Sequence, residues 1–124
     1  MDDLPTMGWT LDPEDRAHLL ERFPPAFPDV IADHVTLGRQ KKKPKDVEAS
    51  VVGYASDRQG LEALAVAVNG TTARPDGSIY HMTWSLDAKA GRQAIESNHL
   101  LEDHGFVELD KPLAIRLYPS VLRG

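Results

Sequence analysis

The chain has 124 residues, a net charge of -5 at neutral pH, and 41% hydrophobic against 27% charged residues. That is enough apolar content for one modest core, and it argues against wholesale disorder. The absence of cysteine excludes disulfides, thiolate metal sites and cysteine nucleophiles, and the acidic balance argues against a protein that coats nucleic acid through many phosphate contacts. A small nucleotide site stays compatible with that balance. The start, Met1-Asp2-Asp3-Leu4-Pro5, lacks an apolar signal core, and no stretch is long enough in apolar residues to span a bilayer. The expectation is a soluble, unexported, cytoplasmic chain with no membrane partner, forming a single domain over residues 1–124.

In chain order, the first regular element expected is a helix over Pro13–Phe23. Asp12 is a good N-cap, Pro13 suits the first helical position, and Glu14 and Asp15 sit where the helix dipole favours anions. Leu19, Leu20 and Phe23 form its apolar stripe, and Pro24-Pro25 ends it. His18 has no ligand-spaced partner and reads as a surface histidine. A proline-rich segment leads to a strand at His34–Leu37, closed by Gly38. The next seven residues, Arg39-Gln40-Lys41-Lys42-Lys43-Pro44-Lys45, hold five of the chain's 14 Lys and Arg and read as a loop.

Val47–Ala55 and Leu61–Val68 read as two strands joined by a hairpin at Ser56–Gly60. Asn69-Gly70 and Arg74-Pro75-Asp76-Gly77 are turn signals. A strand over Ile79–Leu86 follows. Asp87 then opens an uneven helix over Ala88–Glu102, weakened by Gly91, interrupted near Asn98 and ending at His104-Gly105. Two closing strands, Phe106–Leu109 and Leu113–Tyr118, are expected to meet at Asp110-Lys111-Pro112. Strands dominate, so the fold class is α+β with a largely antiparallel sheet and helices outside it.

One pattern occurs twice: His34-Val35-Thr36-Leu37 and His81-Met82-Thr83-Trp84. In a strand, side chains two apart share a face, so each motif presents an imidazole beside a hydroxyl and buries two apolar neighbours. Histidine titrates near neutrality, so a pair can hold one neutral and one protonated ring at the same pH. Phosphodiester cleavage by general base and general acid asks for that combination, with hydroxyls to bond the phosphate oxygens. Such a site needs no metal.

The duplicated His-x-Thr followed by an apolar residue, HVTL and HMTW, resembles the signature of the 2H phosphoesterase superfamily. That group includes LigT-like RNA 2',3'-cyclic phosphodiesterases and the cyclic phosphodiesterase domains of fungal and plant tRNA ligases. The stretch Gly77–Leu86 is similar to the tRNA-ligase type in particular. The resemblance implies two lobes related by pseudo-twofold symmetry, with the motifs on facing strands of a shared cleft. It implies His34, Thr36, His81 and Thr83 as the catalytic set, no metal or other cofactor, and an RNA 3' end or a cyclic nucleotide as substrate. The residues alone leave open which imidazole is the base; in some members of that family it is the second. This chain departs from typical members in its shortness and in the closeness of its two motifs.

Other candidates are weaker. Arg39 and Lys43, just beyond the first motif, are positioned to meet the phosphates of an RNA end. Tyr54 is free to stack on a base, whereas alternation sends Tyr80 and Trp84 to the face opposite His81 and hence into the core. His99 and His104 are five apart, which does not align two metal ligands on a helix face. Asp33, one residue before His34, alternates away from it and is not expected to orient its ring. A second class of function, a binding module that recognises nucleotides or RNA ends without turnover, would use the same groove.

Overall fold

The computed structural model describes residues 4–122. The elements are β1 (Thr6–Leu11), α1 (Pro13–Arg22), β2 (Asp29–Val30), β3 (His34–Arg39), β4 (Ala49–Ser56), β5 (Leu61–Val68), β6 (His81–Leu86), α2 (Glu96–His104), β7 (Val107–Ile115) and β8 (Leu117–Leu122). They form two antiparallel sheets, one ordered β3-β1-β8 and the other β2-β6-β5-β4-β7. The class is therefore α+β, with the chain crossing from one sheet to the other four times, after β1, β2, β3 and β7.

The strand β1 stands where no element was expected. Met7, Gly8, Trp9 and Leu11 are buried in it, and it is the centre of the small sheet. Its sequence hides it, because Gly8 breaks the apolar alternation. The glycine has a physical cause: a Cβ there would lie 2.2 Å from the Val35 carbonyl oxygen on β3. β1 and β3 approach each other only because nothing projects from position 8.

Helix α1 forms as its signals require, with the Asp12 carboxylate accepting from the Glu14 and Asp15 amides at 3.1 Å. It packs Leu19 into the main core, which joins Trp9, Val35 and Leu117 of the small sheet to Leu64, Met82 and Trp84 of the large one. The other face of the large sheet carries Leu61 and Ala63, covered by Leu100 and Leu101 of α2. β5 is thus buried on both faces, which explains why its sequence is apolar at every position but Glu62.

Three boundaries differ from expectation. The helix expected over Ala88–Glu102 is a 3-10 turn at Ala88–Ala90, a left-handed Gly91, and then α2, so the break falls at Gly91 and not at Asn98. The closing segment does not fold back at Asp110-Lys111-Pro112. Both halves of β7 pair with β4, Glu108 with Gly53 and Leu113 with Val51, while the residues between them leave the ladder. Leu113–Tyr118 is divided at Arg116, and β8 joins β1 in the other sheet. Arg116 makes the division stable by donating to Asp15 at 3.1 Å and pairing with Asp12 at 3.0 Å, tying the corner to the start of α1.

Candidate functional site

The two motif strands are built alike. In β3, Thr36 pairs with Gly8 and Gly38 with Met7, leaving Leu37 as an extra residue. In β6, Thr83 pairs with Ala63 and Ser85 with Glu62, leaving Trp84 as an extra residue. Each His-x-Thr is therefore followed by a β-bulge at its fourth position, and in each the Thr faces a Gly or Ala across the ladder. Bulges bend a strand and re-aim its side chains, and they are common beside active sites. The two strands are also linked. The Ile31 and Ala32 amides, just before β3, donate to the Trp84 and Thr83 carbonyls of β6 at 3.0 Å. Ala32 makes the joint with φ of 46°, and its carbonyl accepts from Arg16 Nε of α1 at 2.8 Å.

His81 is half-buried, with Ala65 opposite it on β5. Its Nδ1 lies 2.8 Å from the Ile79 carbonyl, an acceptor only, so Nδ1 carries the proton and Nε2 keeps its lone pair. Burial pushes the affinity of this ring for a second proton below the ordinary histidine value; the Ile79 bond opposes that, and the charges of Arg74 and His34 add to it. The last of these causes means that the two motif histidines lie within electrostatic reach of each other. His34, near the start of β3, donates from Nδ1 to Asp33 Oδ1 at 2.5 Å. Asp33 does orient this imidazole, contrary to the expectation from alternation. It precedes the strand, where the chain is still turning through Ala32, so alternation does not govern it.

The two hydroxyls are not equivalent. Thr36 lies half-buried on the same strand face as His34. Thr83 is buried against α2, where its hydroxyl meets Ser97 Oγ at 2.8 Å and the Ala94 carbonyl at 3.2 Å. Arg39 and Lys43 are exposed beyond the end of the motif. Tyr54 stands apart from the pair: it is across from Leu64, which pairs with Met82, so it lies on the opposite sheet face from His81 and Thr83. Its hydroxyl donates to Glu62 at 2.6 Å and its ring stacks on Phe23. Burial and that bond push the Tyr54 hydroxyl up to about 12. Tyr80 and Trp84 are buried in the core, as alternation requires.

Sequence reasoning missed Arg74. It lies in the turn before β6, its side chain is only 9% exposed, and its Nε reaches the Leu37 carbonyl at 3.3 Å. The signal was the turn motif, which drew attention to Pro75 and Gly77 and away from the cation beside them. A hollow of about 400 Å³ next to this turn is lined by Asp76, Ser78, Ile79, Asn98 and Glu102. A larger groove of about 870 Å³, between Glu48, Ser50, Arg116 and Tyr118, includes neither histidine. The smaller hollow likewise includes neither histidine, nor Thr36, Thr83 or Arg74. Among the described residues no three His, Asp or Glu side chains gather as a metal-ligand set, and no helix is long and apolar enough to cross a membrane.

No protein-family model, curated protein or solved structure matches this chain.

Proposed function

We propose that this chain is a metal-independent phosphodiesterase that opens 2',3'-cyclic phosphates at RNA 3' ends or on nucleotides, with His81 as general base and His34 as general acid. The observation that carries this reading is the different partner of each Nδ1. A carbonyl under His81 fixes its proton on Nδ1 and leaves Nε2 as the basic nitrogen of the neutral ring, which burial favours, while a carboxylate behind His34 is the counter-charge an imidazolium would have. In the step this implies, Nε2 of His81 takes a proton from water as its oxygen bonds to phosphorus. His34 gives a proton to the ribose oxygen whose bond to phosphorus breaks, leaving a phosphomonoester. The matched bulges after both motifs support reading the two sheets as lobes related by approximate twofold symmetry. The exposed basic segment after β3 suits an RNA end, and a cytoplasmic role in RNA-end processing belongs to the same proposal.

One observation favours a second reading, a module that binds RNA ends or nucleotides without turnover: the Thr83 hydroxyl is engaged by α2 and does not stand free beside His81. Turnover of 2',3'-cyclic mononucleotides in EDTA separates the two. The expected result is activity that survives chelation and falls by about 10² to 10⁴ in His34→Ala and in His81→Ala. Full activity in either variant overturns the mechanism, and saturable binding with no turnover supports the module.

A further inference from the structure

We infer that Arg74 is the phosphate-anchoring residue of this site, taking the place that Thr83 leaves empty. The inference rests on the histidine pair being the place where an anion sits, but not on turnover there. A guanidinium has five N–H donors in a rigid fork. Two of the five are engaged, and both at the outer limit of hydrogen bonding: Nε to the Leu37 carbonyl at 3.3 Å and one terminal nitrogen to Asn98 Oδ1 at 3.4 Å. The other terminal nitrogen stands 3.8 Å from Asp76 Oδ2, too far for a hydrogen bond. Asp76 is itself 62% exposed, and its other oxygen is occupied by the Ser78 amide and hydroxyl of its own turn. The result is a largely buried cation whose one acidic neighbour is distant and solvated.

The free donors are not sealed in. Among the described residues no fully buried side-chain nitrogen or oxygen lacks a partner, and the Arg74 side chain keeps 9% of its surface exposed. The guanidinium is placed at the first motif strand by its Nε bond. Its charge is felt by His81 and by Tyr80, and its Nε bond lands on Leu37, the bulge residue next to Thr36. The guanidinium thus touches one motif strand and sits at the start of the other. The turn that carries it is closed by Arg74 N–H to the Ser78 carbonyl at 2.7 Å and Gly77 N–H to the Arg74 carbonyl at 2.9 Å, which fixes the backbone from which the side chain projects.

Thr83 explains why such a residue is needed. Its hydroxyl has one proton, and giving it to the Ala94 carbonyl while accepting from Ser97 leaves nothing for a phosphate oxygen. The anion-binding load falls on Thr36 and Arg74, an asymmetric pair in which the stronger partner is a planar, bidentate donor. A structural cation would be expected to make short bonds to its neighbours; this one makes bonds of 3.3 and 3.4 Å.

The test is a titration with inorganic phosphate, followed through the imidazole signals of His34 and His81 in a heteronuclear NMR experiment on the full chain. Phosphate should perturb both rings in the wild type. Arg74→Gln should weaken phosphate at least tenfold, and Arg74→Lys, which keeps the charge without the fork, should weaken it about threefold. Unchanged phosphate affinity in Arg74→Gln overturns the inference, as does a phosphate response that leaves His81 unmoved. Should Arg74→Gln fail to fold, Arg74→Lys decides, and wild-type affinity in it is equally fatal. Binding is read without turnover, so the two readings fail separately. Loss of phosphate in a chain with no diesterase activity refutes the proposed enzyme alone, and an active enzyme indifferent to Arg74→Gln refutes this inference alone.

Discussion

At the scale of single residues, two histidines of similar sequence context are made chemically different by the atom behind each ring. Behind His34 stands a carboxylate with a full negative charge, and behind His81 a neutral carbonyl. His81 has the carbonyl and the deeper burial, and its proton affinity in the folded state is lowered, chiefly by desolvation. The unfolded chain therefore binds a proton at this position that the folded chain excludes, over a window that begins near 6.5 and extends downward. Stability is complete above that window and is lost as the pH falls through it. Comparing urea midpoints at pH 7.5 and 5.5, the wild type should lose stability that His81→Asn does not lose. The carboxylates with lowered values, Asp12, Asp15, Asp57 and Asp76, act further down, below the ordinary carboxylate range, and do not confuse the comparison. Under the proposed mechanism the same shift sets the acidic limb of kcat/KM below 6.5, and an acidic limb above it would contradict His81 as the base.

At the scale of elements, the motif strands were legible and their surroundings were not. His34-Val35-Thr36 and His81-Met82-Thr83 alternate cleanly, so their faces could be read from spacing alone. The bulges at Leu37 and Trp84 could not, since a bulge adds a residue without changing composition. Nor could Glu62, which sits in the apolar run Leu61–Val68 and looks like a solvent-facing position. It is 1% exposed, and its carboxylate gathers the Tyr54 hydroxyl at 2.6 Å, the Ala26 amide at 2.8 Å and the Ser85 hydroxyl. The bulge at Trp84 causes this: it turns Ser85 to the opposite face from Thr83 and onto Glu62. The cluster staples the proline-rich segment between α1 and β2 to the large sheet. Tyr54 consequently belongs to the scaffold. Tyr54→Phe should lower stability by about 1–2 kcal/mol, measured by chemical denaturation, because a buried carboxylate oxygen loses its donor. Its KM for a cyclic nucleotide should not change; a raised KM with unchanged stability would return Tyr54 to the binding surface.

At the scale of the whole molecule, a chain of net charge -5 carries its densest positive charge in one loop, and the fold fixes where that loop begins and ends. The Gln40 amide donates to the Pro5 carbonyl at 3.1 Å, and Trp9 Nε1 donates to the Lys45 carbonyl at 3.0 Å, so Lys41, Lys42 and Lys43 are suspended between two anchors on the small sheet. Arg39 lies five residues along β3 from His34, roughly 16 Å at the usual strand rise, and Arg74 meets that strand between them at Leu37. His34, the guanidinium and, beyond the end of β3, the lysines are thus reached in that order, and only a substrate longer than a mononucleotide extends to the last of them. This separates two substrates by salt. KM for a 2',3'-cyclic mononucleotide should be nearly flat between 50 and 250 mM salt and unaffected by replacing Lys41, Lys42 and Lys43 with Ala. KM for an RNA oligonucleotide ending in a cyclic phosphate should rise with salt, and its log–log slope should fall by about 0.7 for each lysine that meets a phosphate once the three are removed. Equal salt dependence for the two substrates would make the loop a solvated surface feature and confine recognition to the histidines, Thr36 and Arg74.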